Sequence, residues 1–285
     1  MIDQKISQLN ELTLIDGFSD SLVSVDTIIN RNYKFLPRNI PITFSEKNQT
    51  FPFVVAANTD PQPLNIQNLT SVPSLFFEND PKDYYYVGTN VTGIDNNAFQ
   101  SFGTSFIQGS VILTNNIIGI GNSAFFSQQY LTGINIPNSV TSIGSNAFQN
   151  SGLTSITIPN NVNSIGNFAF YQCTDLASVT LPTNVDFTTI GTSAFRQTSI
   201  TSITIPDSVT SIGLRSFQSC TSLTSITIPD SVTSIGGSAF QSCTGLTSVT
   251  LPNNVNFTSI GSYTFFGCNN AALTSITIPD SVEII

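Results

Sequence analysis

The chain contains no histidine and no tryptophan, and only eight of its 285 residues are lysine or arginine. Histidine is the commonest general base and a common zinc and iron ligand, so its absence removes much of metal and acid–base chemistry. A Ser–His–Asp or Cys–His nucleophile is excluded outright. Cations are scarcest toward the C-terminus, where residues 96–285 hold Arg196 and Arg215 against Asp175, Asp186, Asp207, Asp230, Asp280 and Glu283. With a formal net charge of −9, the surface offers no basic track for phosphates, so nucleic acid is not expected as a partner. No Lys/Arg cluster suits anionic lipid, and no apolar run approaches the roughly 20 residues that cross a bilayer, so membrane insertion is not expected either. The opening residues, Met1 to Asn10, lack the basic and then apolar regions of a secretory signal.

What the chain has in abundance is repetition. Leu153 to Phe170 and Leu223 to Phe240 are close copies of one another, and the closing Phe recurs at 99, 125, 148, 170, 195, 217, 240 and 265. The intervals are 26, 23, 22, 25, 22, 23 and 25 residues. A period of this length with short apolar alternation specifies a solenoid, a stack of coils that bury one continuous core. Within one copy, Leu223, Ile226 and Ile228 alternate with Ser225 and Thr227 as in a half-buried strand. Pro229 ends that strand, Asp230 and Ser231 make a turn, Val232 and Ile235 point inward again, and Gly236 permits a tight corner. Stacking then turns each position into a ladder. The eight Phe form an aromatic spine, and Ile143, Ile165, Ile190, Ile212, Ile235 and Ile260 form a second inward row.

The pattern Leu-x-x-Ile-x-Ile-Pro-x-x-Val-x-x-Ile-Gly-x-x-Ala-Phe-x-x-Cys resembles the BspA-like leucine-rich repeats, the class with a 23-residue repeat typical of surface antigens. The resemblance covers residues 91–285, about eight copies, and is weakest at the first two, where Asn115 to Gly119 lacks the Pro. It implies a mostly β fold, a curved leucine-rich-repeat solenoid with short parallel strands on its concave side. It also implies adhesion or protein binding, with no chemistry and no cofactor.

Three ladders are candidate sites. The outward strand positions form a serine row, Ser155, Ser178, Ser202, Ser225, Ser248 and Ser275, beside a threonine row, Thr157, Thr180, Thr204, Thr227, Thr250 and Thr277. This face is the expected contact for a host surface protein or glycan; a solvated face that keeps the sheet soluble and an ice-binding array are the other readings. Cys173, Cys220, Cys243 and Cys268 each follow the spine Phe by three residues, where Ser151 and Thr198 stand in other copies. They read as buried free thiols, with bridges between neighbouring coils the alternative. The turn position holds Asp207, Asp230 and Asp280 in some coils and Asn138, Asn160, Thr183 and Asn253 in others. Two carboxylates about 5 Å apart suit a retaining glycosidase, and a calcium site is conceivable. The exchange of Asp with Asn is what turn capping requires and catalysis does not tolerate. Asn48, Asn68, Asn90 and Asn256 lie in Asn-x-Ser/Thr sequons, a number that this Asn-, Ser- and Thr-rich composition accounts for.

The first ninety residues differ. Lys5 to Thr13, Asp20 to Asp26 and Asn32 to Ile40 together resemble the short element at the start of many phage and large-virus fibre and virion proteins. That resemblance implies an anchoring segment over residues 1–40, with Ile6, Leu9, Leu22, Val25, Phe35 and Leu36 as its apolar contacts to capsid or other particle proteins. It implies a virion location, the alternative being the extracellular face of a cell. Residues 41–90 are rich in Pro and aromatics, among them the run Tyr84-Tyr85-Tyr86, and read as an irregular β region that caps the first coil or meets a partner. At the other end, Asp280 to Ile285 begins another copy, which leaves Ile284 and Ile285 near an edge that Glu283 or a partner must cover. Self-association into a homo-oligomer is compatible with such an edge.

Overall fold

The computed structural model describes residues 92–101, 107, 109–269 and 273–285, and the backbone of five short strands that precede them. The described residues form a three-sided β-solenoid without helices.

The first side is the Ser-x-Thr strand. In Ser155–Thr157 the two polar residues are exposed and Ile156 is buried, and the same pattern recurs in Ser178–Thr180 and Ser225–Thr227. Neighbouring coils pair in parallel without a shift, so Ser155 faces Ser178, Ile156 faces Val179 and Thr157 faces Thr180. Equivalent positions therefore stack on equivalent positions, which is why the repeat must be kept in length and not only in pattern. The second side is a two-residue strand at each Ser-Ile. Ser142–Ile143 pairs with Ser164–Ile165, and Ser211–Ile212 with Ser234–Ile235. The inward isoleucine row expected from the sequence is present, and Ile94 and Ile120 extend it toward the N-terminus.

The third side carries no strand. It is a stack of tight turns around the spine Phe. Phe125, Phe148, Phe170, Phe195 and Phe217 each donate their N–H to the carbonyl of the residue that precedes the spine Phe of the next coil, at 2.7–2.8 Å. All eight spine rings form one parallel stack, with centroids 4.7–5.6 Å apart and planes within 11°. Phe99 to Phe240 are fully buried. Burying one such ring stabilises by about 2 kcal/mol or more, so this column is the largest contribution any one repeat position makes to the core.

The ladders run on past Val91. Leu64–Ile66 pairs in parallel with Tyr84–Val87, which pairs with Gly109–Ile112, and Ser71–Val72 pairs with Gly93–Ile94. Farther toward the N-terminus, Leu12–Leu14 and Ile42–Phe44 form an antiparallel pair. The anchor candidates Ile6, Leu9, Leu22, Val25, Phe35 and Leu36 lie outside the described residues.

Candidate ligand-binding face

The twelve Ser and Thr residues predicted to point outward are all exposed. Ser155, Thr157, Ser178 and Thr180 lie on one two-stranded sheet, a bridge from Ser178 to Ser202 carries the row into the next coil, and Ser225, Thr227, Ser248 and Thr250 lie on a second pair of strands. Ser275 and Thr277 are exposed on the last described coil, while Ile276 between them packs on the core. The hydroxyls that tie coils together belong to other residues. Thr224 and Thr247 each donate Oγ1–H to the carbonyl of the equivalent residue one coil earlier, at 3.2 and 3.0 Å. Among the described residues, the twelve outward hydroxyls make no such bond. Each is a donor and an acceptor left to solvent or to a ligand, so this side presents a regular, uncharged, hydrogen-bonding array.

The turn position caps the next coil where it holds Asp230 or Asn160. Asp230 accepts the Asn253 N–H of the next coil at 2.7 Å, and Asn160 accepts that of Thr183 at 3.0 Å. A carboxylate and an amide oxygen do the same work here, so Asp230 is engaged with backbone and not poised as an acid or nucleophile. Next to it runs a corner ladder that sequence reading missed. Ser208, Ser231 and Ser281 donate to the carbonyls of Phe187, Val209 and Phe257 at 2.9, 2.7 and 2.9 Å. Where a coil is longer, Asn replaces Ser. Asn184 and Asn254 donate to Val162 and Val232 at 2.9 and 3.0 Å, while their Oδ1 atoms accept the N–H of Asp186 and Asn256. These two coils bulge at Val185 and Val255, which are 82% and 83% exposed, and Phe187 and Phe257 fill the core in the place of Val. The 25-residue spacings of the spine were the signal for both bulges.

The four cysteines are free thiols, three of them buried. Each donates S–H to the carbonyl of the previous spine Phe, for instance Cys220 to Phe195 at 3.1 Å and Cys268 to Phe240 at 3.0 Å. Cys173 and Cys220 lie 3.3 Å from Ser151 and Thr198, the hydroxyls that take the same place one coil earlier. Burial pushes both thiols up to about 11, against the pull of those hydrogen bonds. Cys243 is also raised, first by its hydrogen bond to Cys268 and then by burial. Raised thiols are poor nucleophiles and poor ligands. Elsewhere in the row the position changes chemistry: Gln128, fully covered, accepts the Ile107 N–H at 2.6 Å and donates to the Phe99 carbonyl.

This geometry of coil, spine and corner is matched by the sequence profile of the BspA type leucine rich repeat region, which finds six copies over residues 92–223 and 188–285. The chain belongs to the BspA-type leucine-rich-repeat family. No curated protein matches this BspA-type chain. Among solved structures, a leucine rich repeat protein of T. pallidum is 20% identical, covers 75% of this chain and 92% of its own, and has a TM-score of 0.47. A leucine rich cell surface protein of Faecalibacterium prausnitzii is also 20% identical, covers 84% and 86%, and has a TM-score of 0.39. The pneumococcal vaccine antigen PcpA is 16% identical, covers 83% and 92%, and has a TM-score of 0.35.

Proposed function

We propose that this BspA-type protein is a non-catalytic adhesive protein. Its solenoid presents the Ser/Thr face to a host surface protein or glycan, and its N-terminal segment attaches it to a virus particle. One observation carries the binding role: twelve exposed hydroxyls at equivalent strand positions, eight of them paired in register, with no internal partner among the described residues, on a body whose other regular hydroxyls are used to hold coils together. Family membership supports adhesion or protein binding. A lack of histidine and an Asp230 committed to capping support the absence of catalysis. The particle attachment rests on the Lys5 to Ile40 resemblance alone, and the family favours a second setting, the surface of a microbe or protist. Mass spectrometry of purified particles against culture supernatant distinguishes the two. Enrichment in the particles is expected, and enrichment in a particle-free cell-surface fraction contradicts the virion setting while leaving adhesion in place.

A further inference from the structure

The turn side of the solenoid carries a second chemistry, unlike that of the Ser/Thr face. Its outward residues stand two before and one after the spine Phe, and in three coils these two side chains are seen to touch. Phe168 meets Tyr171 edge-on at 6.0 Å, Tyr263 meets Phe266 at 5.8 Å, and Asn146 donates to Gln149. The first of these positions is left-handed in every coil, with φ of 52–61°. Asn or Ser fills it at 97, 123, 146, 193 and 238, as the conformation favours. At 168, 215 and 263 it is Phe, Arg and Tyr instead. Bulky residues are strained there, they point away from the core, and the fold has no need of them. Strain without a structural return is a mark of function.

The same side holds both arginines of the solenoid. Arg196 lies over the Tyr171 ring at 5.1 Å, which fixes the guanidinium. Its Nε is covered and has no hydrogen-bond partner, and the same is true of Gln218 Oε1, while Gln218 Nε2 donates to Gln241 at 2.5 Å. Arg215 stands in the coil of Gln218, at the position whose side chain meets the equivalent of Gln218 in the coils of Phe148, Phe170 and Phe265. Among the described residues neither arginine has a carboxylate partner, although acids outnumber bases in this part of the chain. The stripe is therefore two cations and two amides bracketed by aromatic pairs, spanning five coils, or four spacings and about 19 Å from end to end at the ~4.8 Å strand spacing.

We propose that this stripe binds carboxylate-bearing oligosaccharides, with Arg196 and Arg215 pairing with the sugar carboxylates, Gln218 and Gln241 bonding hydroxyls, and Tyr171, Tyr263 and Phe266 stacking on sugar rings. An arginine fork matches a carboxylate in geometry as well as charge. An acidic peptide fits less well. The backbone donors and acceptors on this side are already used between coils, as in Phe195 N–H to Ser216 and Gln197 N–H to Gln218, so no open edge invites an added strand.

The test is calorimetric titration of the full chain with oligogalacturonate and sialyllactose, which separate uronic from sialic acids, and with cellohexaose, a dextran sulfate oligosaccharide, which is sulfated but has no carboxylate, and polyglutamate as contrasts. Binding to at least one of the first two is expected. It should weaken at least tenfold in Arg196→Gln and in Arg215→Ser, fall as salt rises, and stay unchanged in Val185→Ser, an exposed bulge residue outside both faces; Thr204→Ala/Thr227→Ala reports on the sheet side separately. Gln and Ser already occupy these positions in other coils, so both variants keep the fold, which circular dichroism checks; Tyr171→Gln, built the same way, is a third variant that leaves both arginines in place. Failure of both acidic sugars to bind at millimolar concentration overturns the proposal. So does equal binding of cellohexaose, dextran sulfate or polyglutamate, or binding that the arginine variants leave intact. Loss caused by the Thr variants alone would assign the sugar to the Ser/Thr face instead.

Discussion

The ring of Phe217 lies 5.3 Å from that of Phe240, with 4° between the planes, and both are fully covered. Truncating Phe217 to Ala opens a cavity against two rings at once. A loss of about 3–5 kcal/mol is expected, the range for a buried aromatic cut to Ala. Thr227→Ala, on the exposed side of the same stack, should cost well under about 1 kcal/mol. Chemical denaturation compares the two, and equal losses would contradict the assignment of inward and outward positions.

Gly236 has a role the sequence did not disclose. Its conformation is ordinary, but a Cβ there would lie 2.5 Å from the Leu214 backbone nitrogen of the previous coil. Gly144, Gly166, Gly213 and Gly261 show the same close approach, each within 2.8 Å of backbone. Gly236→Ala should therefore lower stability by about 1–3 kcal/mol or more, because backbone cannot move aside as a side chain can. A thermal melt unchanged by this substitution would show that the coils can separate there without cost.

Cys173 and Cys220 are raised from an ordinary value of 9.0 to about 11 by burial. A folded-state thiol that holds its proton more tightly than the unfolded chain contributes stability that is complete below pH 9 and is lost as pH rises toward 11. Each thiol accounts for roughly 2–3 kcal/mol of that loss. Cys173→Ser and Cys220→Ser place the residue type of Ser151 at both sites and should flatten the decline in Tm between pH 9 and 11. An equally steep decline in the double variant would place the titrating groups elsewhere.

The repeat, the spine and the direction of each strand residue were legible in the sequence because a period-2 pattern copied at a near-fixed interval leaves little choice of register. Ser225, Ile226 and Thr227 could be assigned to out, in and out from one copy alone. The turn side was not legible: a left-handed Asn146 or Ser238 looks like any polar loop residue, and only Phe168, Arg215 and Tyr263 would have stood out. Nor were the parallel pairings of Leu64–Ile66 and Tyr84–Val87. Strand pairing between coils is made by backbone, so a coil can join the stack without the Leu-x-x-Ile-x-Ile-Pro signature. Gly236 was read as a corner, and its crowding against Leu214 depends on the next coil, which no single copy reveals.

Removing residues 1–40 should leave the solenoid folded, since among the described residues the core is built from coil-to-coil contacts at and beyond Ile94. Circular dichroism reports the fold and co-sedimentation with particles reports attachment. A truncated chain that still co-sediments at full occupancy would remove the anchoring role of Lys5 to Ile40.

Binding through the Ser/Thr face is tested most directly by attachment to host cells of the intact protein and of the variant Thr180→Arg/Thr204→Arg/Thr227→Arg. These side chains are exposed and bonded to nothing within the described chain, so the fold should survive while three bulky charges break the regular, neutral array. Attachment at least tenfold weaker in the variant, with an unchanged melting temperature, is the predicted result. Full attachment by a folded triple variant would contradict it.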